Sequence, residues 1–287
     1  MSHCTEPDPF PSKARHVVVA SRTHVGQERP ENEDRVLVGC PAGGQAWEPP
    51  CTMTLELEPC GFFALVCDGM GGEVGGEIAS TLAIEVINAC LIAWWAQLAA
   101  IPAGSPRVAE ERLGRAMKAS IDTASARIKS FAREHPRYAR MGTTTTLAAL
   151  SANALLVAQV GDSRAYVFRS GSLVQLTRDQ TMAELIRAQS SSIDPNAEVV
   201  GANVILQAVG ASAKLDIVLT RHEIVDGDVV LLCSDGLSGP VSNRHIESIL
   251  QRGPDLAAAC DALVAAANAG GGPDNVSCVA FRVDRSV

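Results

Sequence analysis

The sequence lacks the features that mark a secreted, disulfide-built or nucleic-acid-binding protein. No apolar run stands near its start, where Pro7, Pro9 and Pro11 predict an extended tail over residues 1–14, so we expect a cytoplasmic protein. The nine cysteines are odd in number and include no Cys-x-x-Cys pair, which favours reduced thiols. Lys and Arg number 24 against 32 Asp and Glu, and the formal net charge of -8 disfavours nucleic acid and anionic lipid as partners.

Two segments leave an alternative open. Cys40, Cys51 and Cys60 lie in or beside a loop-like stretch over residues 39–50, where a zinc site could form although the spacing is irregular. Residues 78–101 are apolar enough to suggest a membrane span, but acidic and amide side chains interrupt them and no basic flank follows. We therefore expect a buried helix there.

Short strands and long helices occupy separate blocks of the chain. Strands are predicted over residues 15–21, 34–38, 52–58, 61–67, 143–150, 154–160, 164–169, 204–209, 215–219, 228–234 and 276–283. Helices are predicted over about 77–98, 107–133 and 254–269, and a short one opens the polar stretch 179–202. The turns between the first strands are too short for crossover helices, which predicts antiparallel pairing. Because 47% apolar residues can build a full core, we expect one α+β domain over residues 15–287, its sheets covered by helices.

Aspartates stand where several apolar strands begin or end. These residues are Asp34, Asp68, Asp162, Asp235 and Asp274. Each alone fits an ordinary turn, because Asp-Gly and Gly-Asp are common turn dipeptides. Acids at strand ends can also converge at one edge of packed sheets, and such a cluster would repel itself unless cations bind. An oxygen-only donor set points to Mg²⁺ or Mn²⁺ rather than zinc.

An arginine near the first of these acids could bind phosphate. Arg29 lies five residues before Asp34 and could present its planar guanidinium to a phosphate beside the cations. The alternative is a surface arginine that pairs with Glu31 or Glu33.

A glycine-rich run over residues 68–72 follows a strand and precedes a helix, as in a dinucleotide-binding fold. That interpretation fails, because the Gly-x-Gly-x-x-Gly pattern breaks at Val74, Asp68 would oppose a pyrophosphate and no second strand completes the unit. Small residues here instead let backbone approach a cation, and the carbonyl of Gly69 is available as a ligand.

Six short motifs occur together in a characteristic order. They are Arg29-Pro-Glu-Asn-Glu-Asp34, Asp68-Gly-Met-Gly-Gly72, Gly142-Thr-Thr144, Gly161-Asp-Ser-Arg-Ala-Tyr166, Ser234-Asp-Gly-Leu237 and Gly272-Pro-Asp-Asn275. The ordered set, spanning about residues 15–283, resembles bacterial members of the metal-dependent protein phosphatase (PPM) family, the protein phosphatase 2C type. The resemblance implies a central sandwich of two antiparallel β-sheets flanked by helix pairs, a four-layer αββα architecture. It also implies a substrate-selecting flap over about residues 179–212.

The same resemblance implies a set of metal ligands for two Mn²⁺ or Mg²⁺ ions and a third ion that is weak or absent. Asp68 would bridge the two metals, Asp235 and Asp274 would complete one, and the Gly69 carbonyl would serve the other. Asp34 would belong to this metal site through a bound water, and Asp162 would serve the third ion. Just outside the ligands, Glu33 would hold a metal-bound water and Asn275 would support the site.

The implied chemistry is hydrolysis of phosphoserine and phosphothreonine by direct attack of a water that bridges the two metals, with Arg29 as the catalytic residue that holds the phosphoryl oxygens. Implied partners are phosphoproteins made by a bacterial Ser/Thr kinase, acted on by a monomer without nucleic acid or membrane. The alternative is a phosphoprotein-binding or scaffold member with weak or no turnover. Asp68, Asp235 and Asp274 are all present, which favours an enzyme.

Three positions depart from the family pattern. Met70 stands where many members have a histidine proposed as general acid, and methionine cannot donate a proton; His24 is one candidate to replace it. Gln180 replaces a frequent histidine at the start of the flap. Gly239 replaces an aspartate that would join Asp162 at the third metal, which predicts a weak or empty third site.

Overall fold

Two antiparallel β-sheets with helices on their outer faces make up the computed structural model, which describes residues 15–57, 61–71, 75–98, 106–151, 154–189 and 204–285. Within these residues the strands are β1 (Arg15–His24), β2 (Asp34–Cys40), β3 (Gln45–Trp47), β4 (Cys51–Glu56), β5 (Phe62–Met70), β6 (Gly142–Thr143), β7 (Thr145–Ser151), β8 (Ala154–Val160), β9 (Arg164–Arg169), β10 (Ser172–Gln175), β11 (Val218–Glu223), β12 (Val229–Cys233) and β13 (Val276–Arg285). The helices are α1 (Gly76–Leu98), α2 (Pro106–Glu134), α3 (Met182–Gln189), α4 (Asp235–Ser238), α5 (Asn243–Leu250) and α6 (Leu256–Ala269).

The strands form two sheets that face each other. One sheet has the order β10-β9-β12-β13-β1-β4 and the other β11-β8-β7-β5-β2-β3, with β6 paired to β5. Every strand pairing described is antiparallel. The predicted α+β class, with its antiparallel sandwich, is confirmed.

The space between the sheets is an apolar core. Because side chains alternate across a strand, Val17 and Val19 of β1 point into it, as do Val279 and Phe281 of β13. The rings of Phe62 and Phe281 meet there from opposite sheets, with centroids 4.7 Å apart. This burial of apolar area stabilises the sandwich and fixes where the strand ends lie.

Helices α1 and α2 cover the outer face of the sheet that contains β5. The buried face of α2 includes Leu113, Met117, Ile121 and Ile128, as the spacing of its apolar residues predicts. Helix α1 is long and apolar enough to cross a membrane by length and composition. One stripe of α1 is instead buried against this sheet and α2, so the described packing matches the predicted buried helix.

The opposite outer face is covered by α5 and α6, which completes the four layers. Helix α6 agrees with the helix predicted over residues 254–269, whereas no helix was predicted at α5. Helix α5 is only eight residues long and buries Ile246, Ile249 and Leu250. It is capped by Ser242, whose side chain accepts a hydrogen bond from the His245 N–H. A helix this short offers too few turns for its apolar spacing to stand out.

Several predicted strands have different bounds in the structure. Residues 204–209 are not a strand, because they find no sheet partner beyond isolated bridges of Ile205 to Thr181 and Val209 to Thr143. The strand expected at 215–219 lies at Val218–Glu223 instead, and the short strands β3 and β10 are missed. The predicted tail over 1–14, and residues 190–203 of the predicted flap, lie outside the described residues.

Candidate metal centre

Acids from distant parts of the chain meet at one end of the sandwich. Asp34, the first residue of β2, stands directly opposite Asp68 of β5 in the antiparallel register. Asp235 begins α4 just after β12, and Asp274 shortly precedes β13. The last three line one cavity of about 500 Å³, together with Arg29, Glu33, Gly69 and Met70.

These carboxyls are hard to ionise together. The pKa of Asp34 is raised to about 7, first by burial and then by the charges of Asp235 and Asp274. Burial also holds the pKa of Asp68 well above its ordinary range, with Asp34 and Asp235 adding to the effect. The pKa of Asp235 is raised by burial as well. A divalent cation would relieve this repulsion, because opposite charge favours the ionised carboxylate.

Hydrogen bonds fix the groups around Asp34. The Ser234 hydroxyl donates to Asp34 Oδ2 at 2.7 Å. The amide of Asn275 donates to the Glu31 carbonyl at 2.9 Å, and its Oδ1 accepts from the Glu33 N–H at 2.7 Å. Asn275 therefore orders the loop that leads from Arg29 into β2, which agrees with a supporting role.

The backbone next to Asp68 is held just as tightly. Thr144 Oγ1 accepts from the Asp68 N–H at 3.0 Å, and the Thr144 N–H donates to the Asp68 carbonyl at 2.8 Å. A Cβ on Gly69 would collide with the Gly76 carbonyl oxygen, so only glycine fits this close approach. The Gly76 N–H in turn donates to Glu33 Oε1 at 3.2 Å.

Arg29 reaches the acids from the cavity rim. Its Nη2 donates to Asp274 Oδ2 at 2.7 Å, and half of its side chain (49%) is exposed. The structure therefore corrects the alternative in which Arg29 pairs with Glu31 or Glu33. Because the guanidinium has five N–H donors, this contact leaves donors for a phosphate in the cavity.

Asp162 lines a second, smaller cavity of about 300 Å³, which also contains Asp235 and Gly239. Its Oδ1 is buried without a hydrogen-bond partner. The pKa of Asp162 is raised to about 7, first by burial and then by the charges of Asp235 and Asp179. Arg164 neutralises Asp179 at 2.6 Å, and Gly239 offers no side-chain oxygen. Asp162 is thus placed for a cation but has little help in binding one.

The donor set fits hard divalent cations. Asp235 Oδ1, like the Asp162 oxygen, is buried without a partner, which is costly unless something binds it. The candidate donors are carboxylate and carbonyl oxygens, which Mg²⁺ and Mn²⁺ prefer. Over the part of the chain that the structure describes, no group of three or more His, Cys, Asp or Glu is already arranged to hold a metal. The Arg29–Asp274 pair provides part of the charge balance instead.

Other candidate residues have different surroundings. The ring of His24 accepts from the Gly26 N–H at 2.9 Å, and His24 is not among the described residues that line the larger cavity. Cys40 and Cys51 are buried thiols, and Cys60 lies outside the described residues, so the zinc alternative stays a hypothesis. Gln180 accepts from the Gly161 N–H at 2.6 Å, which ties the start of the flap to the strand that precedes Asp162.

Sequence reasoning missed some residues that shape the site. Ser234 and Thr144 lie inside recognised motifs, but nothing in their spacing shows that they would bond to Asp34 and Asp68. Ile205 lines the larger cavity, but the sequence marked it only as part of a predicted strand over residues 204–209. The ion pair of Arg164 with Asp179 joins the start of β9 to the start of the predicted flap. Its one signal in the sequence is that Arg164 belongs to the motif around Asp162.

Known proteins share this fold. Residues 54–270 match the family model described as Protein phosphatase 2C. A Ser/Thr phosphatase, stp, of Listeria welshimeri is 30% identical over 74% of this chain and 81% of its own length. The crystal structure of the Mycobacterium tuberculosis Ser/Thr phosphatase PstP/Ppp superposes with a TM-score of 0.75, at 29% identity, over 94% of this chain and 100% of that one. The PstP catalytic domain in complex with two manganese ions gives 0.70, at 31% identity, over 94% and 99%.

The fold and these likenesses define a protein Ser/Thr phosphatase. The chain belongs to the protein phosphatase 2C family.

Proposed function

We propose that this chain hydrolyses phosphoserine and phosphothreonine in proteins with the help of two Mn²⁺ or Mg²⁺ ions, by direct attack of water on phosphorus. The observation that supports this most is the larger cavity, where Asp68, Asp235 and Asp274 converge beside Arg29 and one buried carboxylate oxygen has no partner. A relative at 31% identity is described in complex with two manganese ions.

The side chains divide into ligands and positioning groups. Asp68, Asp235, Asp274 and the Gly69 carbonyl would hold the two cations, with Asp34 close behind them. When bound, such cations would activate a water for attack on phosphorus and neutralise the charge that develops on the phosphoryl group. Glu33 and Asn275 would fix the positions of these groups rather than react themselves.

Arg29 binds the phosphoryl oxygens. A guanidinium matches a phosphate in a bidentate contact, and Arg29 sits where the cavity opens to solvent. It must then share its donors between the substrate and Asp274, so phosphate binding and the charge of Asp274 are coupled. Met70 on the same wall cannot donate a proton, so the proton for the leaving seryl or threonyl oxygen comes from a water molecule or from another group of the site.

The remaining expectations extend the same proposal. We infer that residues 15–287 act as one catalytic domain, that the protein is a cytoplasmic monomer, and that its substrates are products of a bacterial Ser/Thr kinase. Asp162 would hold at most a weak third ion. These statements rest on the family and on the sequence.

Hydrolysis of an aryl phosphate and of a phosphothreonine peptide tests the proposal. Activity should appear with Mn²⁺ or Mg²⁺ and vanish in excess chelator after extended dialysis. Full activity in chelator would reject the mechanism. Binding of phosphopeptide with no turnover under any metal would favour the scaffold alternative.

A further inference from the structure

Positive charge is concentrated in one part of this acidic protein. Eight of the 24 Lys and Arg residues lie between residues 112 and 140, with only two acids among them, although the formal net charge of the chain is -8. The eight are Arg112, Arg115, Lys118, Arg127, Lys129, Arg133, Arg137 and Arg140. An uneven distribution of this kind creates a local positive potential, which a uniformly acidic surface would not have.

The last three of these residues lie on a rigid support. Arg133 is in the last turn of α2, and a 3₁₀ turn over Pro136–Tyr138 follows the helix. Tyr138 and Met141 are buried in the core under α1 and α2, which anchors the turn at both ends. We call Arg133, Arg137 and Arg140 the basic turn; all three side chains are exposed.

The basic turn borders the larger cavity. Gly142 pairs with Met70 across β6 and β5, and Met141 Cα would lie 2.9 Å from a Cβ on Gly71. Met70 and Gly71 both line the cavity. Because consecutive Cα atoms lie about 3.8 Å apart, the Cα of Arg140 is within about 8 Å of that of Gly71. An extended peptide covers this distance in about two or three residues.

The charge of the basic turn is not used to hold the fold together. None of its three arginines forms an ion pair with a carboxylate in the described residues, whereas Arg169 binds the buried Asp228 and Arg164 binds the partly buried Asp179. Arg137 lies over the Tyr138 ring at 4.5 Å, a contact that leaves its outer N–H donors in solvent. These cations are therefore free to bind a mobile anion.

We propose that the basic turn binds an acidic segment of the phosphoprotein substrate, a few residues from the phosphorylated side chain. This inference rests on the proposed phosphatase function and names its substrate class. Five acids and a single arginine are among the described residues that line the cavity, so an acidic substrate needs positive charge outside it to approach. An anionic membrane is the less suitable partner, because no exposed large apolar side chain of the described residues lies between 112 and 140.

Contacts of this kind act mainly on specificity and rate of association. Each exposed charge pair contributes little by itself and is weakened by salt. Two or three of them together correspond to a preference of about tenfold at low ionic strength. The preference should therefore fall as salt is added, while hydrolysis of a small aryl phosphate stays insensitive.

Two matched phosphothreonine peptides test the inference. One carries aspartates about two to four positions from the phosphothreonine, on either side, and the other carries asparagines there. The test variant is R137E/R140E, and the control is R115E/K118E. The control makes the same change in net charge on exposed residues of α2, with Lys118 about 22 Å along the helix axis from Arg133.

For the wild type and the control, kcat/KM should be about tenfold higher for the acidic peptide. In R137E/R140E the ratio should fall to about one or reverse, with aryl phosphate hydrolysis as the check that the variant folds. Affinity for the same labelled peptides, measured by fluorescence anisotropy in excess chelator, gives a readout without turnover. If the wild type hydrolysed neither peptide yet still bound the acidic one more tightly, the proposed function would fail and this inference would stand.

The inference is overturned if the wild type shows no preference in turnover or affinity, or if both variants lose it equally. It is also overturned if R137E/R140E keeps the preference but no longer sediments with phosphatidylglycerol vesicles, because the basic turn would then face a membrane.

Discussion

The two acid-lined cavities share Asp235 but balance their charge in different ways. In the smaller cavity, Arg164 neutralises Asp179 and Arg187 lies near Glu184. Asp162 and the shared Asp235 remain there without an arginine or lysine ion-pair partner among the described residues. Two of the four described acids that line this cavity are therefore compensated within the chain.

The larger cavity has much less positive charge of its own. Arg29 pairs with Asp274, while Asp34, Asp68 and Asp235 have no arginine or lysine partner in the described residues. Burial and neighbouring acids raise the pKa of all three carboxyls, as expected where compensating positive charge is lacking. The comparison teaches that the larger cavity depends on ions from solution, whereas the smaller one can do without them.

Removing an acid from the larger cavity should have the largest effect. We expect Asp235→Asn to lower kcat about 100-fold or more, because one cation loses an anionic ligand. The same variant in chelator should be at least as heat-stable as the wild type, because a buried carboxyl with a raised pKa has been removed. Asp261→Asn is the matched control, since Asp261 is an exposed partner of Arg22. If Asp235→Asn turned over as fast as the wild type, Asp235 would be a turn residue and not a metal ligand.

Removing the one cation of the larger cavity should have the next largest effect. Arg29→Ala should raise KM for a phosphopeptide and lower kcat/KM about 10- to 100-fold, because a charge-assisted contact to phosphate is worth about 1.5–3 kcal/mol. Arg29→Lys should recover only part of this, since lysine keeps the charge but not the bidentate geometry. An unchanged kcat/KM in Arg29→Ala would show that Arg29 does not bind the phosphoryl group.

The sequence predicts the acids at the strand ends and the class of the fold, but not the residues that bond to those acids. Strand periodicity and the Asp-Gly turns place Asp34, Asp68 and Asp235 at strand ends, which local patterns can reveal. The bond of Ser234 to Asp34 spans 200 positions, and the ion pair of Arg29 with Asp274 spans 245. Contacts at such separations depend on sheet order and register, which no local spacing specifies. Helix α5 was missed for the opposite reason, because it is too short to show a period.

The stability of the metal-free protein should depend on pH. Asp34 and Asp162 have pKa values raised to about 7, so the folded state holds their protons more tightly than the unfolded state does. Their contribution to the free energy of unfolding is complete below the ordinary aspartate pKa and is lost as the pH rises through about 7. In chelator, Tm should therefore fall by several degrees between about pH 5.5 and about pH 8.5, at about 2–4 °C per kcal/mol. Added Mg²⁺ should flatten this decline, as should Asp162→Asn to a smaller degree. If Tm in chelator did not change with pH, the conclusion that these acids lack compensating positive charge would be wrong.

Placing an acid in the smaller cavity should have the smallest effect of these changes. It tests whether that cavity binds an ion once it has one more anionic ligand. Gly239 lines that cavity, and its φ of -75° is open to any residue. A Cβ would lie 2.9 Å from the Asp235 carbonyl oxygen, so the turn must shift slightly to accept a side chain. Gly239→Ala carries the same Cβ without an oxygen and is therefore the matched control.

We expect Gly239→Asp to tighten an ion on Asp162 and to shift the Mn²⁺ dependence of the rate a few-fold, whereas Gly239→Ala does not. Hard divalent cations gain affinity with each anionic ligand, which is the physical reason for the difference between the two variants. Arg164 and Arg187 line the same cavity and oppose the ion, so the gain should stay modest. Metal titration by calorimetry, after the two tighter sites are filled, measures the change. If wild-type crystals grown in Mn²⁺ already held a full third ion on Asp162, the smaller cavity would need external cations as well, and the distinction between the two cavities would be wrong.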